Sequence, residues 1–318
     1  MAHAYTPGLK VTDQIWVEKE RILPLKGDVL VSKGAEVEPD SVVAQTHLPG
    51  PVEPVNVANI LGLPPEDIEE CMLKKEGDPI KEGEVIGRSS SFFGLFKSEC
   101  KSKITGTVEN ISHVTGQVLL RGEPLPVQVK AYIKGEVTDI HPEEGVTVAC
   151  IGAFVQGIFG IGGETHGEIK VVCADHTEVL DEKKITADCK DKVVIGGSRV
   201  TADALKQAIE VGAAGVVTGG FDDRDLRDFL GKDLGVAITG SEELGVTLVV
   251  TEGFGEISMA EKTFQLLKRY EGKLACINGA TQIRAGVIRP EIVVPLEGGA
   301  ETVGAADDSG LLDVGTSV

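Results

Sequence analysis

A glycine-punctuated strand motif recurs in the first 140 residues, and it constrains the fold more than any other feature of the sequence. Residues 34–44 (GAEVEPDSVVA) align with residues 77–87 (GDPIKEGEVIG), and residues 48–55 (LPGPVEPV) align with residues 104–111 (ITGTVENI). Residues 133–140 (IKGEVTDI) repeat the Gly-x-Val-x-x-Ile piece once more. Repetition of short strand units predicts pseudo-symmetric β structure, in which glycine occupies the corners and Val and Ile face one small core.

The order of these pieces carries a resemblance to a known fold. GD-x-I-x-x-G-x-V-I followed by S-x-x-x-G-x-V-x-x-I is similar to the barrel-sandwich hybrid of biotinyl and lipoyl carrier domains. Modules of the C subunit of Rnf-type electron-transport complexes and of the largest bacterial RNA polymerase subunit have the same fold. The resemblance covers about residues 26–140. Beyond it, the chain is similar only to uncharacterised bacterial proteins.

The resemblance implies a hairpin on which carrier domains hold a modified lysine, within Met-Lys-Met or Asp-Lys-Ala. The corresponding segment here reads FFGLFKSEC, where Lys97 is the only lysine near the tip and its neighbours depart from the carrier pattern. We therefore favour an unmodified surface lysine at this position. A carrier protein modified on Lys97 is kept as an alternative function.

The same hairpin segment is rich in apolar side chains. Phe92, Phe93 and Phe96 are three of the nine phenylalanines in the chain, and Leu95 lies between them. Such a segment either covers one end of the barrel or docks on a partner. Docking requires no catalytic motif, so it gives the main hypothesis: a non-catalytic interaction or scaffold protein that binds a protein partner or a second copy of itself.

Charge and cysteine usage limit the classes of partner and location. The net charge is −19, so a broad face of the chain repels nucleic acid, although Lys97, Lys101 and Lys103 form a local basic cluster. The six cysteines include no Cys-x-x-Cys pair, and the N-terminus lacks the features of a signal peptide. These features predict a cytoplasmic protein with reduced thiols. No cofactor is predicted.

One uncharged run requires a membrane test. Residues 145–163 (GVTVACIGAFVQGIFGIGG) are about long enough to span a bilayer as a helix. Their glycines and β-branched residues favour buried strands joined by glycine turns, so the sequence predicts no transmembrane anchor.

A metal site is weakly signalled just beyond this run. Cys173 and His176 have a Cys-x-x-His spacing, and His166 lies nearby. Structural metal sites usually combine two such pairs, and the second pair is missing here. Ordinary surface and turn positions are the favoured interpretation of all three residues.

From residue 191 to residue 295, apolar runs alternate with amphipathic stretches. This alternation predicts a small parallel α/β domain with right-handed crossovers. Helices are expected to begin at Thr201, at Asp222 and at Ser258, where Ser258 and Glu261 have the spacing of a capping box. The predicted strands are residues 193–197, 215–220, 247–255 and 274–279.

Glycines end the first three of these strands. In open α/β sheets, ligands bind at the carboxyl ends of the strands, where bare glycines let a ligand approach the backbone. This pattern supports an alternative function, a small-molecule or anion-binding enzyme, whereas the glycine requirement of turns is the favoured explanation. The candidate ligand-binding residues are Gly196, Gly197, Ser198, Thr218, Gly219, Gly220 and Glu252.

The sequence therefore predicts a multidomain chain of α+β and α/β character, in which a β-rich barrel-sandwich hybrid precedes a β segment and a parallel α/β domain. The predicted parts are a lead-in strand (1–25), the barrel-sandwich hybrid with its internal duplication of 34–55 and 77–111 (26–140), a glycine-rich β segment (141–190), the α/β domain (191–295) and an acidic linker or tail (296–318).

Overall fold

The computed structural model describes residues 9–91, 96–222, 245–281 and 288–296, and the side chains of residues 90, 91, 96 and 97 lie outside this description. The described chain is strand-rich, with short α-helices. The strands are β1 (Val11–Ile22), β2 (Asp28–Val29), β3 (Glu36–Val37), β4 (Val42–Leu48), β5 (Val52–Asn56), β6 (Pro79–Ile80), β7 (Val85–Ser91), β8 (Phe96–Lys101), β9 (Gly106–Ser112), β10 (Gln117–Gly122), β11 (Leu125–Lys130), β12 (Gly135–His141), β13 (Gly145–Gln156), β14 (Phe159–Ile161), β15 (Glu164–Val171), β16 (Lys192–Ile195), β17 (Arg199–Val200), β18 (Gly215–Phe221), β19 (Thr247–Phe254), β20 (Leu274–Asn278) and β21 (Glu291–Pro295). The α-helices are α1 (Val57–Leu61), α2 (Ile68–Cys71), α3 (Ala202–Val211) and α4 (Glu261–Arg269), and 3-10 turns occupy Pro65–Asp67, Glu182–Lys184 and Ala187–Cys189.

One large mixed sheet contains most of the described strands. Its order is β14-β19-β18-β16-β15-β20-β21-β13-β12-β3, with β1 beside β13 and β17 beside β18. The three smaller sheets have the orders β5-β10-β9-β6, β11-β4-β2 and β7-β8. The architecture is therefore that of a strand-rich α+β protein.

The predicted parallel sheet is present in its central part. Strands β16, β18 and β19 are parallel neighbours, and β15 extends the parallel set beside β16. The fourth predicted strand, β20, is a strand but not a parallel one, since it lies between β15 and β21 and runs antiparallel to both. The helix predicted from Asp222 onward lies outside the described residues.

The start of the last helix differs from the prediction. Ser258 does not cap it; α4 begins at Glu261, and its N-cap position is Ala260, which makes no side-chain capping bond. The backbone N–H of Ala260 instead donates to Glu252 Oε1 at 3.0 Å. A carboxylate from the end of β19 thus binds the N–H of the N-cap residue, a role that a capping box gives to the glutamate at N3.

The uncharged run forms strands, as predicted. Strand β13 is buried along its whole length up to Gln156, where it becomes half-buried. It pairs with β1 and also with β12 and β21, so its apolar side chains are covered without a bilayer. Among the described residues, no helix has both the length and the apolar character needed to cross a membrane.

The chain divides into two compact units. Unit 1 comprises Met1–Ile22, Leu30–Val43 and Lys130–Val318, and unit 2 comprises Leu23–Val29 and Ala44–Val129. Each unit has its own hydrophobic core. The five-part division predicted from the sequence stays a prediction, because compactness alone does not assign those boundaries.

The first halves of the two motif copies lie in different units, residues 34–43 in unit 1 and residues 77–87 in unit 2. Gly34 and Gly77 both adopt left-handed backbone conformations, with φ of 83° and 87°. The Gly34 N–H donates to Val137 O at 2.8 Å, and the Gly77 N–H donates to Val108 O at 2.7 Å. Strand β3 correspondingly pairs with β12, and β6 pairs with β9. Residues 133–140 therefore correspond to residues 104–111. Each segment makes the same hydrogen bonds to the first half of its own motif copy.

The glycines of this motif are required by close backbone approach. A Cβ at Gly106 would lie closer than 3.0 Å to the carbonyl oxygen of Arg121, and a Cβ at Gly135 would lie equally close to that of Ala149. Both glycines open a strand that runs against the next antiparallel strand. The packing of each copy consequently depends on the absence of a side chain at this position.

The two copies carry different insertions at one equivalent point. Within the second copy, the hairpin of β7 and β8 connects the two halves of the motif. Within the first copy, the chain leaves unit 1 after Val43 and returns at Lys130, so the whole of Ala44–Val129 stands where the second copy has its hairpin. In the sequence, residues 44–129 thus interrupt the first motif copy at the position where the β7–β8 hairpin interrupts the second.

Candidate functional site

The hairpin of β7 and β8 is anchored at its base within unit 2. The Ser89 hydroxyl donates to Leu61 O at 3.0 Å, at the end of α1. A Cβ at Gly87 would contact the side chains of Leu61 and Val57 at 3.3 Å, so the strand packs directly on this helix. Beyond the base, Arg88 and Glu99 are exposed and form an ion pair of 2.9 Å across the two strands.

In the sequence, the predicted docking residues follow the end of β7 and extend to the first residue of β8. Phe92, Phe93 and Leu95 lie outside the described residues. For Phe96 and Lys97 the backbone alone is described, and it pairs with Ser91 and Ser90 respectively in the β7–β8 ladder. The structure therefore gives the anchoring of the hairpin and leaves the docking role as a prediction from the sequence.

The glycines at the carboxyl ends of the parallel strands are packed against the chain itself. A Cβ at Gly197 would lie closer than 3.0 Å to Glu178 O, and one at Gly219 equally close to Met259 N. Residues 174–180 and 255–260 thus cover the strand ends at backbone distance. Their packing alone accounts for glycine at these positions, without a ligand.

The polar residues predicted beside these glycines are brought together at the same sheet edge. The Thr218 hydroxyl donates to Ser198 O at 3.1 Å, and the Thr251 hydroxyl donates to Thr218 O at 3.2 Å. Glu252 accepts from Ala260 N, as described above. Ser198 Oγ is buried and makes no hydrogen bond within the described part of the chain. Glu252 therefore binds one covering segment, whereas the two threonine hydroxyls bind backbone oxygens at the strand ends.

The three weak metal candidates each have a separate protein partner. His166 Nε2 lies 3.3 Å from Asp40 Oδ2, and His176 Nδ1 lies 2.8 Å from Met259 O. Cys173 is buried, and a backbone hydrogen bond from Gly197 reaches its sulfur. Within the described residues, no group of three or more His, Cys, Asp or Glu side chains is arranged to hold a metal ion.

A polar cluster in unit 1 was not predicted from the sequence. Lys19 Nζ lies 2.6 Å from Glu291, and the Tyr132 hydroxyl donates to the same carboxylate at 3.2 Å. Arg21 pairs with Glu164 at 2.6 Å. Burial, together with the nearby Glu291 carboxylate, raises the pKa of Tyr132 well above its usual range, so this hydroxyl stays protonated. The members are far apart in sequence, and the alternating charges of β1 (KERI) are the only local signal.

Buried thiols are protected in the folded chain. Burial raises the pKa of Cys150 and Cys173 to about 11 and that of Cys276 to about 12. Burial also raises the pKa of the half-buried Cys71. At pH 8 a thiol of pKa 11 is about one part in a thousand thiolate, and the thiolate is the reactive form.

We therefore expect slow labelling of the native protein by a thiol reagent at pH 8, with Cys71 reacting first because it is the most accessible of these four. Labelling should accelerate as the pH rises. After unfolding in urea, all six cysteines should react quickly, as followed by intact mass and peptide mapping. Rapid native labelling of Cys173 or Cys276 would contradict this expectation.

Comparison with known proteins adds no constraint. Neither a family model, nor a curated protein, nor a solved structure matches the chain. The functional argument consequently depends on the geometry described above.

Proposed function

We propose that this chain is a non-catalytic interaction protein in which a lipoyl-like barrel-sandwich module, predicted over residues 26–140, docks a protein partner through the hairpin of β7 and β8. The partner is another protein or a second copy of the chain. The docking residues are Phe92, Phe93, Leu95 and Phe96. A cytoplasmic location is part of the proposal, because the chain has six free cysteines and cytoplasmic thiols are kept reduced.

The anchored base of this hairpin is the observation that carries the proposal. Its strands β7 and β8 form a two-stranded sheet of their own, and the base packs on α1. Arg88, Ser98 and Glu99 are exposed on its arms. A two-stranded hairpin is marginally stable alone, so its presence as a separate sheet calls for a role outside the core. The apolar sequence between its arms supplies one.

The repeated motif supports the proposal of a barrel-sandwich module over residues 26–140. Gly34 and Gly77 make matching hydrogen bonds, and the two copies have the same strand pairing. The resemblance implies that the hairpin of the second copy corresponds to the hairpin on which carrier domains display their lysine. The hairpin has an apolar sequence where carrier domains have their Met-Lys-Met or Asp-Lys-Ala motif. This difference favours docking over modification on Lys97.

The test replaces the four apolar residues together by serine in the full chain. Sedimentation velocity measures self-association, and quantitative cross-linking in the native host measures capture of a specific partner. We expect the variant to lose the association of the wild type while its thermal midpoint stays within about 3 °C. The matched control is Val114→Ser, which changes an apolar residue that is exposed elsewhere in unit 2, and this variant should bind normally.

Wild-type binding by the quadruple variant would overturn the proposal. Intact mass of the protein from its native source tests the carrier alternative separately, since biotin or lipoate on Lys97 adds a defined increment. A loss of binding accompanied by unfolding would show instead that the residues cover the core of unit 2, which is the plug interpretation.

A further inference from the structure

Charged residues of unit 1 lie beside the points at which the chain passes into and out of unit 2. The passages fall after Ile22, Val29, Val43 and Val129. Arg21, Asp40 and Lys130 are among the charged residues within three positions of them. We propose that these three residues, with Glu164 and His166 of β15, form a clamp that keeps the entry and exit segments of the insertion closed on unit 1.

Arg21 is the centre of this clamp. Its Nη1 and Nη2 donate to the two oxygens of Glu164 at 2.7 and 2.6 Å, and its Nε donates to Lys130 O at 2.7 Å. The guanidinium also lies 5.5 Å from the ring of Tyr132. A planar fork that binds a carboxylate with two donors and a carbonyl with a third cannot be reproduced by lysine.

Asp40 supplies the second arm. One carboxylate oxygen binds Lys130 Nζ at 2.7 Å, and the other lies 3.3 Å from His166 Nε2. Glu164 and His166 are two residues apart on β15, and their side chains therefore lie on one face of the sheet. Strand β15 thus binds both Arg21, through Glu164, and Asp40, through His166.

Two backbone hydrogen bonds join the segment that precedes the insertion to the segment that follows it. Ala131 N donates to Ser41 O at 2.9 Å, and Tyr132 N donates to Pro39 O at 3.0 Å. Tyr132 has a φ of 69°, a left-handed conformation that is costly for a residue with a bulky side chain. The contacts of Arg21 with this ring and with the neighbouring carbonyl hold it there.

The second copy of the motif provides an internal comparison. Ser102 N donates to Glu84 O there, as Ala131 N donates to Ser41 O in the first copy. On this correspondence, Lys101 matches Lys130 and Gly83 replaces Asp40. The copy that carries a short hairpin keeps the lysine but lacks a carboxylate at the position of Asp40, whereas the copy that carries the whole of unit 2 has both groups. This difference links the clamp to the insertion.

The arms are unequal in strength. The Lys130 and Asp40 side chains are 57% and 63% exposed, so their pair contributes little on its own. Arg21 is 14% exposed and bonds Glu164 with two donors, which makes it the stronger arm. Replacing Arg21 is therefore the decisive test.

The test compares Arg21→Gln, Arg21→Lys and Asp40→Asn in the full chain, with Arg88→Gln as the control that breaks an exposed Arg–Glu pair in unit 2. Amide hydrogen exchange at Ala131 and Tyr132 reports opening of the passage, and exchange in β16 reports global unfolding. Trypsin cleavage after Lys130 gives an independent readout.

We expect Arg21→Gln to accelerate exchange at Ala131 and Tyr132, and cleavage after Lys130, by about fivefold or more while β16 stays unchanged. Arg21→Lys should fall between Gln and the wild type, Asp40→Asn should have a smaller effect, and Arg88→Gln none. Unchanged exchange at Ala131 in Arg21→Gln would overturn the clamp. Equal acceleration in β16 would also overturn it, because Arg21 would then be a general stabilising residue.

Discussion

Gly106→Ala and Gly135→Ala should each lower the free energy of unfolding by about 3 kcal/mol or more. In both cases the new methyl group would meet a backbone carbonyl oxygen of the neighbouring strand, at less than 3.0 Å. A carbonyl in a hydrogen-bonded ladder cannot move aside as a flexible side chain can, so the strands must separate or shift register. Urea unfolding followed by circular dichroism measures the loss.

Gly163→Ala is the matched control for both glycine variants. A Cβ at Gly163 would have no heavy atom within 4 Å, and its φ is not left-handed. We expect its stability to stay within about 0.5 kcal/mol of the wild type. If Gly106→Ala were as stable as this control, the close approach would not be essential and the repeat would lose its physical explanation.

Phe264→Ala should cost about 3–5 kcal/mol, because it removes a large side chain from the core of unit 1 and leaves a cavity. Phe264 lies on α4 and is 0% exposed, and its neighbours in the core include Leu266 and Leu267. The same unfolding measurement applies. Exchange protection in β16 should fall in parallel, since that strand belongs to the same core.

Phe254→Ala provides the comparison for this second prediction. Phe254 is 48% exposed at the end of β19, and its ring centroid lies 4.9 Å from that of Phe159. Removing it should cost about 1 kcal/mol or less, mainly from the lost ring contact. Similar losses for Phe254→Ala and Phe264→Ala would contradict the position of the core described here.

Much of the local structure could be predicted from the sequence. The uncharged run became β13, and the strands ending in Gly197, Gly219 and Gly253 became parallel neighbours. Alternation and apolar runs are properties of neighbouring residues, so they can be recognised without the fold. The need for glycine at Gly34 and Gly77 was likewise visible from their aligned positions.

Pairings between distant segments could not be predicted in the same way. The alignment placed residues 48–55 opposite residues 104–111, whereas the strand that pairs with β3 is β12, beyond the whole of unit 2. The start of α4 was missed because its first N–H groups depend on Glu252, eight residues earlier. The candidate ligand residues lie at one sheet edge, but two segments of the chain cover that edge, and their ligand-binding role stays a prediction.

By itself, the sequence determined which stretches become strands, where glycine is indispensable and which hairpin carries the apolar residues. These follow from side-chain period and from the sterics of single residues. Only the tertiary structure decided that strands beyond the second copy of the motif complete the first copy, and that five side chains of unit 1 come together, those of Arg21, Asp40, Lys130, Glu164 and His166. Contacts between residues so distant in the sequence depend on the closure of long loops, and a local pattern of residues does not predict them.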